Sequence, residues 1–422
     1  PEEEVTRRTI MRYYKRKNPM LIREMIRNVY KECKGVPKGS CLTKEQRLSL
    51  QMDEFMNRRY EFRYNTQIGE VEYRERFSFQ FYFHPIDKRA QNSIMLDAQS
   101  EGIGVWDRDI DRYLHSNRVP IYNPLEEFLF HLPHWDGKDR IHALANRVPC
   151  KNPHWELLFH RWFLNMVSHW RGVDKMHANN TSPILVGRQG THKSTFCREM
   201  IPPALRAYYT DSIDFSHKRD AELYLNRFAL INIDEFDQIT LPQQGFLKHI
   251  LQKPVVNLRK PHGRSVLELQ RYASFIGTSN QKDLLTDPSG SRRFICIEVT
   301  GNIDTTQPID YEQLYAQAMH EIHHGERYWF DSEDEQIMTE NNREFEQTPA
   351  MLQLFYQYFK TAQTKEEGEF LTPVEILNYL KKKSGMSLSD NKVYHFGRLL
   401  QKCGIPSKHT YKGTVYQVIK LS

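Results

Sequence analysis

Long apolar runs are missing from this sequence: no stretch approaches the roughly 18 uninterrupted apolar residues of a membrane-spanning helix. Helical membrane proteins are therefore excluded, and no membrane partner is expected. The opening Pro1-Glu2-Glu3-Glu4 has none of the features of a secretory signal, so the cytoplasm is the default compartment. Cysteine is scarce. Cys33, Cys41, Cys150, Cys197, Cys296 and Cys403 are scattered and form no C-x-x-C pair, which argues against a disulfide framework and a zinc ribbon and for reduced thiols. Internal repeats and low-complexity tracts are absent as well.

What is present is polarity and length. Across 422 residues, 39% are hydrophobic and 27% charged, the balance of a soluble chain large enough for two or three separately cored units. The net charge of +6 is uneven: between Val5 and Leu48, 13 Lys or Arg face three Glu. Residues 1–50 read as a basic helical arm, with Met20, Leu21, Met25, Ile26 and Tyr30 at near-helical spacing. Residues 51–178 read as an α+β and helical region, closing with an aromatic helix from Trp155 to Trp170. From 179 to 300 apolar strands alternate with helical stretches, which signals an α/β core with a largely parallel sheet. Residues 301–345 form a helical, acidic linker. Residues 346–422 read as helix, helix and two-stranded ribbon, a winged-helix-like C-terminal domain. The fold class expected is thus multi-domain, with an α/β core between smaller units.

Within the α/β stretch, Ile184-Leu185-Val186 leads into Gly187-Arg188-Gln189-Gly190-Thr191-His192-Lys193-Ser194-Thr195. This is a strand, a glycine-containing loop and a helix start, matching G-x-x-x-x-G-K-[ST] at all but one position. Such a loop binds phosphate because backbone N–H groups converge at the positive end of a helix, a Lys bridges the β- and γ-phosphates, and a hydroxyl ligates Mg²⁺. Gly187, Gly190, Thr191, His192, Lys193, Ser194 and Thr195 are the candidate ATP-binding residues. His192 stands where the pattern has glycine, so its Cβ is expected to crowd a phosphate or strain the loop and to weaken binding.

Forty-one residues after Lys193, the apolar strand Ala229-Leu230-Ile231-Asn232-Ile233 ends in Asp234-Glu235. In a parallel sheet the carboxyl end of such a strand emerges beside the phosphate loop. Asp234, with Ser194, is the candidate for the Mg²⁺ shell, and Glu235 for polarising the attacking water. A third strand, Ala273 to Ser279, ends on Asn280, an amide suited to orienting that water or reading the γ-phosphate. Arg292 or Arg293 is the candidate arginine finger, commonly supplied across a subunit boundary; the alternative for either is an internal salt bridge.

This order of motifs from Gly187 to Arg293 resembles the superfamily-three and AAA+ replicative helicases. More closely, Leu185 to Val299, with Arg259-Lys260-Pro261-His262-Gly263-Arg264, Phe275 to Asn280 and Gly290-Ser291-Arg292-Arg293-Phe294, resembles the virulence-associated protein E family of mobile-element and phage helicases. His134-Trp135-Asp136-Gly137-Lys138-Asp139-Arg140-Ile141 and Phe62-Arg63-Tyr64-Asn65 are similar to that family's N-terminal part, and residues 346–422 to the C-terminal domain of its Bacteroides-type members. The resemblance implies an AAA+ core at 179–300 and ATP-driven unwinding or remodelling of single-stranded or forked DNA. It also implies a homo-oligomeric ring, a hexamer, next to a primase-polymerase module; such a module would precede Pro1.

Between the acid strand and Asn280, two β-prone runs flank Pro261-His262-Gly263, predicting a hairpin tipped with cations. Lys260, His262 and Arg264 are the candidates for contact with a DNA backbone, salt-dependent and sequence-blind. At the C-terminus Lys392, His395 and Arg398 suit either a DNA groove or a protein adaptor. His320-Glu321-Ile322-His323-His324 satisfies H-E-x-x-H, but Gly325 follows at once and no third ligand is evident, which disfavours zinc. The expectation is an ATP- and Mg²⁺-dependent DNA helicase. Its alternative is a nucleotide-switched, DNA-binding initiator or scaffold that His192 has left with little turnover.

Overall fold

The computed structural model describes residues 42–79, 81–172, 176–258, 266–285, 288–347, 350–362, 367–385, 393–411 and 413–421. These described residues fall into two units, one with those of 42–65 and Gly69–Tyr122, the other with Thr66–Ile68 and those from Asn123 onward.

The first unit opens with α1 (Lys44–Arg59), whose start is fixed by a reciprocal capping box between Thr43 and Gln46. The strands β1 (Tyr60–Asn65), β2 (Glu70–Glu75) and β3 (His84–Pro85), with β4 (Ile121–Tyr122), form a sheet in the order β3-β2-β1-β4, in which only β4 runs parallel to its neighbour. Gly69, at φ 71°, makes the β1–β2 turn. Charged residues on these strands pair across the ladder, Arg63 with Glu72 at 2.6 Å and Arg74 with Glu61 at 2.6 Å. Two helices, α2 (Lys88–Ser100) and α3 (Asp107–Leu114), complete a core around Phe55, Met56, Tyr60, Val71, Ile94 and Tyr113.

The second unit begins with α4 (Pro124–Phe130), α5 (Arg140–Ala145) and α6 (Trp155–Trp170). Helix α6 buries nearly its whole circumference, Trp155, Trp162 and Trp170 included, as expected of a helix that is apolar all round. There follow β5 (Ser182–Val186), α7 (Lys193–Glu199), β6 (Tyr209–Thr210), α8 (Lys218–Arg227), β7 (Leu230–Ile233) and α9 (Leu241–Leu251). The hairpin β8 (Val255–Leu258) and β9 (Leu267–Gln270) leads into β10 (Ser274–Ser279), then β11 (Phe294–Glu298), α10 (Tyr311–His323) and α11 (Ser332–Asn342).

Strands β11-β5-β10-β7-β6 form one parallel sheet in that order. Its strands read as continuous apolar runs because both faces are covered. On one face Leu185, Leu230, Ile276, Ile295 and Ile297 pack against α4 to α7 and α10. On the other, Ile184, Val186, Ile231, Ile233, Phe275 and Phe294 pack against α8 and α9. The strand bearing the acids, β7, is therefore not the neighbour of β5. Strand β10 lies between them.

The motif His134 to Ile141 serves this packing. Trp135 Nε1 donates to Lys138 O at 2.9 Å, and Arg140 grips Asp136 at 2.6 and 2.8 Å. The side chains of Gln313 and Gln317 on α10 then receive the backbone N–H groups of Asp136, Arg140 and Ile141. The loop is thereby clamped along one face of α10.

The C-terminal part holds α12 (Ala350–Tyr358), β12 (Phe359–Thr361), β13 (Glu369–Leu371), α13 (Pro373–Ser384), α14 (Val393–Lys402), β14 (Ser407–Thr410) and β15 (Gly413–Lys420). Two helices and a β14–β15 ribbon are in place, and β12 and β13 enlarge the ribbon to a four-stranded antiparallel sheet. The three helices pack on one face of it, around Phe355, Leu377, Phe396, Tyr416 and Val418. No helix among the described residues is long and apolar enough to cross a membrane.

Candidate active site

The phosphate loop sits where β5 hands over to α7. Gly187 is required there by proximity: a Cβ would stand 3.0 Å from Val299 O and 3.1 Å from Val299 Cβ. Gly190 and His192 both adopt left-handed backbone, at φ 83° and 64°. Glycine takes this conformation freely, whereas histidine does so at a cost of roughly 1–2 kcal/mol. The sequence departure at His192 thus falls on a position whose backbone suits glycine.

Lys193 is almost fully buried. Its ammonium donates to Gly187 O at 2.7 Å, to Arg188 O at 2.8 Å and to Asn280 Oδ1 at 3.1 Å. Burial pulls its pKa down, and the negative charge of Asp234 opposes this. Ser194 Oγ donates to Asp234 Oδ1 at 3.0 Å, and the Thr278 hydroxyl donates to the same oxygen. Glu235 follows in left-handed backbone at φ 52°, a strained conformation for a non-glycine residue at a strand end.

Gln189 to Thr195, Asp234, Glu235, Thr278 and Asn280 together line one cleft of about 320 Å³. The predicted loop from Gly190 to Thr195, the two acids and Asn280 are thus brought to one place, while Gly187 meets the cleft through its carbonyl on Lys193. Arg292 and Arg293 are not in this lining; Arg292 pairs with Glu335 on α11 at 2.9 Å. Strands β8 and β9 pair as the predicted hairpin, while its tip, with Lys260, His262 and Arg264, lies outside the described residues, as does Lys392.

Residues 129–347, just over half of the chain, match the virulence-associated protein E-like domain. The chain belongs to that family. This family placement implies a P-loop NTPase that binds nucleotide. Residues 348–418 match a second family, described as a domain of unknown function from B. theta. Among solved structures, the chain is similar to the apo structure of the NrS-1 C-terminal region (305–718), at 12% identity over 89% of this chain and 99% of that one, with a TM-score of 0.44. The A form of that region gives 11% identity, the same coverage and a TM-score of 0.46. No curated protein matches.

In this virulence-associated protein E-like domain motif reading passed over two residues, Thr278 in the cleft lining and Asp237 behind Asn280. Thr278 shares Asp234 with Ser194. Asp237 accepts from Ser279 Oγ at 2.8 Å and from the Asn280 N–H at 3.4 Å, and so fixes the end of β10 on which Asn280 stands. Burial alone would raise the Asp237 carboxyl; hydrogen bonds from Ser279, Gln238 and backbone N–H groups outweigh it and hold the pKa below the ordinary value. A signal was present, an acid three residues beyond Asp234. The histidine motif of α10 is engaged elsewhere: Glu321 Oε2 lies 2.7 Å from His160 Nε2, and the His320 ring stacks on His324 and against Trp135.

The donor set fits a nucleoside triphosphate and a hard divalent cation. A hydroxyl (Ser194) and a carboxylate (Asp234) 3.0 Å apart are oxygen ligands of the kind Mg²⁺ takes. A buried ammonium at the N-terminus of α7 supplies positive charge for phosphate oxygens.

Proposed function

We propose that the chain is the motor of a mobile-element or phage replication system, an ATP- and Mg²⁺-dependent DNA helicase or remodelling ATPase working as a hexameric ring. The observation that carries this reading is the convergence of Lys193, Ser194, Asp234, Glu235 and Asn280 on one cleft. Ser194 and Asp234 would hold Mg²⁺, which would supply positive charge against the phosphates. Lys193 exchanges its carbonyl partners for phosphate oxygens. Glu235 orients a water and takes its proton as the water oxygen bonds to the γ-phosphorus and the bond to the β-phosphate oxygen breaks, releasing ADP and phosphate. Asn280, fixed by Asp237, aligns the water, and Arg292 or Arg293 reaches the cleft of the neighbouring subunit.

The β8–β9 hairpin follows single-stranded or forked DNA through Lys260, His262 and Arg264, and a primase-polymerase module acts alongside in the cytoplasm. The five-part division at residues 50, 178, 300 and 345, with the basic arm and a winged-helix-like C-terminal domain, belongs to the same proposal.

A second reading, a nucleotide-switched initiator or scaffold with little turnover, is favoured by two observations. His192 is held in left-handed backbone, and the Lys193 ammonium is already engaged by Gly187 and Arg188 carbonyls. Steady-state ATP hydrolysis with and without single-stranded DNA separates the two. Stimulated turnover lost in Glu235→Gln supports the motor. An inert wild type that His192→Gly activates supports the switch, and inertness of both refutes ATPase action.

A further inference from the structure

Charge reverses sharply near residue 350. Residues 301–349 carry two Lys or Arg against 12 Asp or Glu, whereas residues 350–422 carry 11 against five. The attraction of this end of the chain for a polyanion therefore resides in the C-terminal domain.

The sheet of that domain presents a specific surface. Strand β15 runs through its middle, with β13 on one side and β12 and β14 in succession along the other. Directly paired residues share a face. Lys360 pairs with Ile419, Phe370 with Gln417 and Lys408 with Val415, so all six side chains lie on one face. The alternate residues Tyr416 and Val418 enter the core on the other, and the apolar residues of α12, α13 and α14 gather there with them. Lys360, Phe370 and Lys408 are exposed, Phe370 at 38%. The Lys408 ammonium lies 3.5 Å from the Phe370 ring centroid, so this pair closes over β15 from both sides.

On this face Val415 and Gln417 are buried beneath their neighbours, and the exposed ring and two cations that flank them match what a single strand offers: flat bases to stack and phosphates at regular intervals. A base arriving on Phe370 displaces the Lys408 ammonium from the ring toward the adjoining phosphate, so both groups keep a partner. We propose that this outer sheet face, through Lys360, Phe370 and Lys408, binds single-stranded nucleic acid with little sequence preference. The rival surface within the domain is the exposed side of α14, where Arg398 donates to the Tyr394 hydroxyl at 2.8 Å.

The proposal is independent of ATP turnover, and its test uses the full chain without nucleotide. Binding of fluorescein-labelled oligo(dT) is followed by anisotropy over a salt series, in the wild type and in a background where Lys260, His262 and Arg264 are alanine. Phe370→Ala weakens binding roughly ten-fold, and Phe370→Tyr restores it. Replacing both Lys360 and Lys408 by alanine lowers the slope of log affinity against log salt by about 1.4. Unchanged melting temperature and unchanged basal ATP hydrolysis show that the variants are folded. The proposal is overturned if neither change alters affinity, or if the lysine pair matters while Phe370→Ala does not, which is a plain polyanion surface. It also fails if Arg398→Ala weakens binding instead and a duplex is preferred, which places the contact on α14. Intact oligo(dT) affinity without DNA-stimulated hydrolysis counts against the motor alone.

Discussion

Replacing Arg271 is the sharpest test of how the hairpin is rooted. Arg271 follows β9 directly and is completely buried. Its guanidinium donates to five carbonyls: Ala273 at 2.9 Å, Leu251 at 2.7 Å, Lys253 at 2.8 Å, Ile250 at 3.3 Å and Asn179 at 2.9 Å. These close the end of α9, the entry to β8 and the segment before β5. Burial pushes its pKa down to about 9, which still leaves it charged at neutral pH. A lysine has three donors, so Arg271→Lys leaves at least two carbonyls without a partner and costs about 3 kcal/mol. Arg271→Met removes every bond and the charge, at about 3–5 kcal/mol or more. With roughly 2 °C of melting temperature per kcal/mol in a unit of this size, the expected losses are about 6 °C for Arg271→Lys and about 6–10 °C or more for Arg271→Met. Hydrogen exchange should quicken at Tyr272 and Ala273, whose N–H groups bond Leu225 O. Thermal unfolding with exchange mass spectrometry reads both. Should Arg271→Lys melt with the wild type, the fork of donors is not what holds the root, and the reasoning fails.

Three further outcomes are expected. Gly187→Ala drives a Cβ against Val299 at roughly 1–3 kcal/mol, and should lower the melting temperature by about 2–6 °C while raising the Kd for ATP, measured by calorimetry. At His192, Gly should bind ATP more tightly than wild type and Val less tightly, because a β-branched residue tolerates φ 64° least; equal affinities in all three would sink the strain account. Asp237 has a lowered pKa, so its contribution is complete above the ordinary carboxylate pKa and lost as pH falls through its own lower value. The stability gap between wild type and Asp237→Asn should therefore be flat from about pH 5 to 8 and shrink below about pH 4, as followed by urea titration; a gap that closes near neutrality contradicts this.

The phosphate loop and the Asp234-Glu235 strand end were legible because each is a local pattern whose chemistry rests on neighbours in sequence. Asp237 and Thr278 were not, because their role depends on β10 lying between β5 and β7, and strand order is a tertiary fact. His192 stood out as a departure, yet only the backbone shows that it sits in the left-handed region. The hairpin was announced by Pro261-His262-Gly263. The three-residue strands β12 and β13 are too short to leave an alternation, so the outer face they complete could not be read. The His134 to Ile141 motif was visible as a resemblance, while its partners, Gln313 and Gln317, stand 177 and 176 residues away from Asp136 and Ile141.

Strand β10 has two very different ends. Its N-terminal approach is Arg271, the root of the hairpin, and its C-terminal exit is Thr278 to Asn280, touching Asp234, Asp237 and Lys193. Six residues of extended chain span about 20 Å, and β10 is laddered on both sides, to β5 and to β7. A strand held that way is stiff along its length and slides, if at all, by whole pleats. The hairpin root and the phosphate cleft are therefore the two ends of one braced element, and the backbone of β10 alone sets the spacing between them.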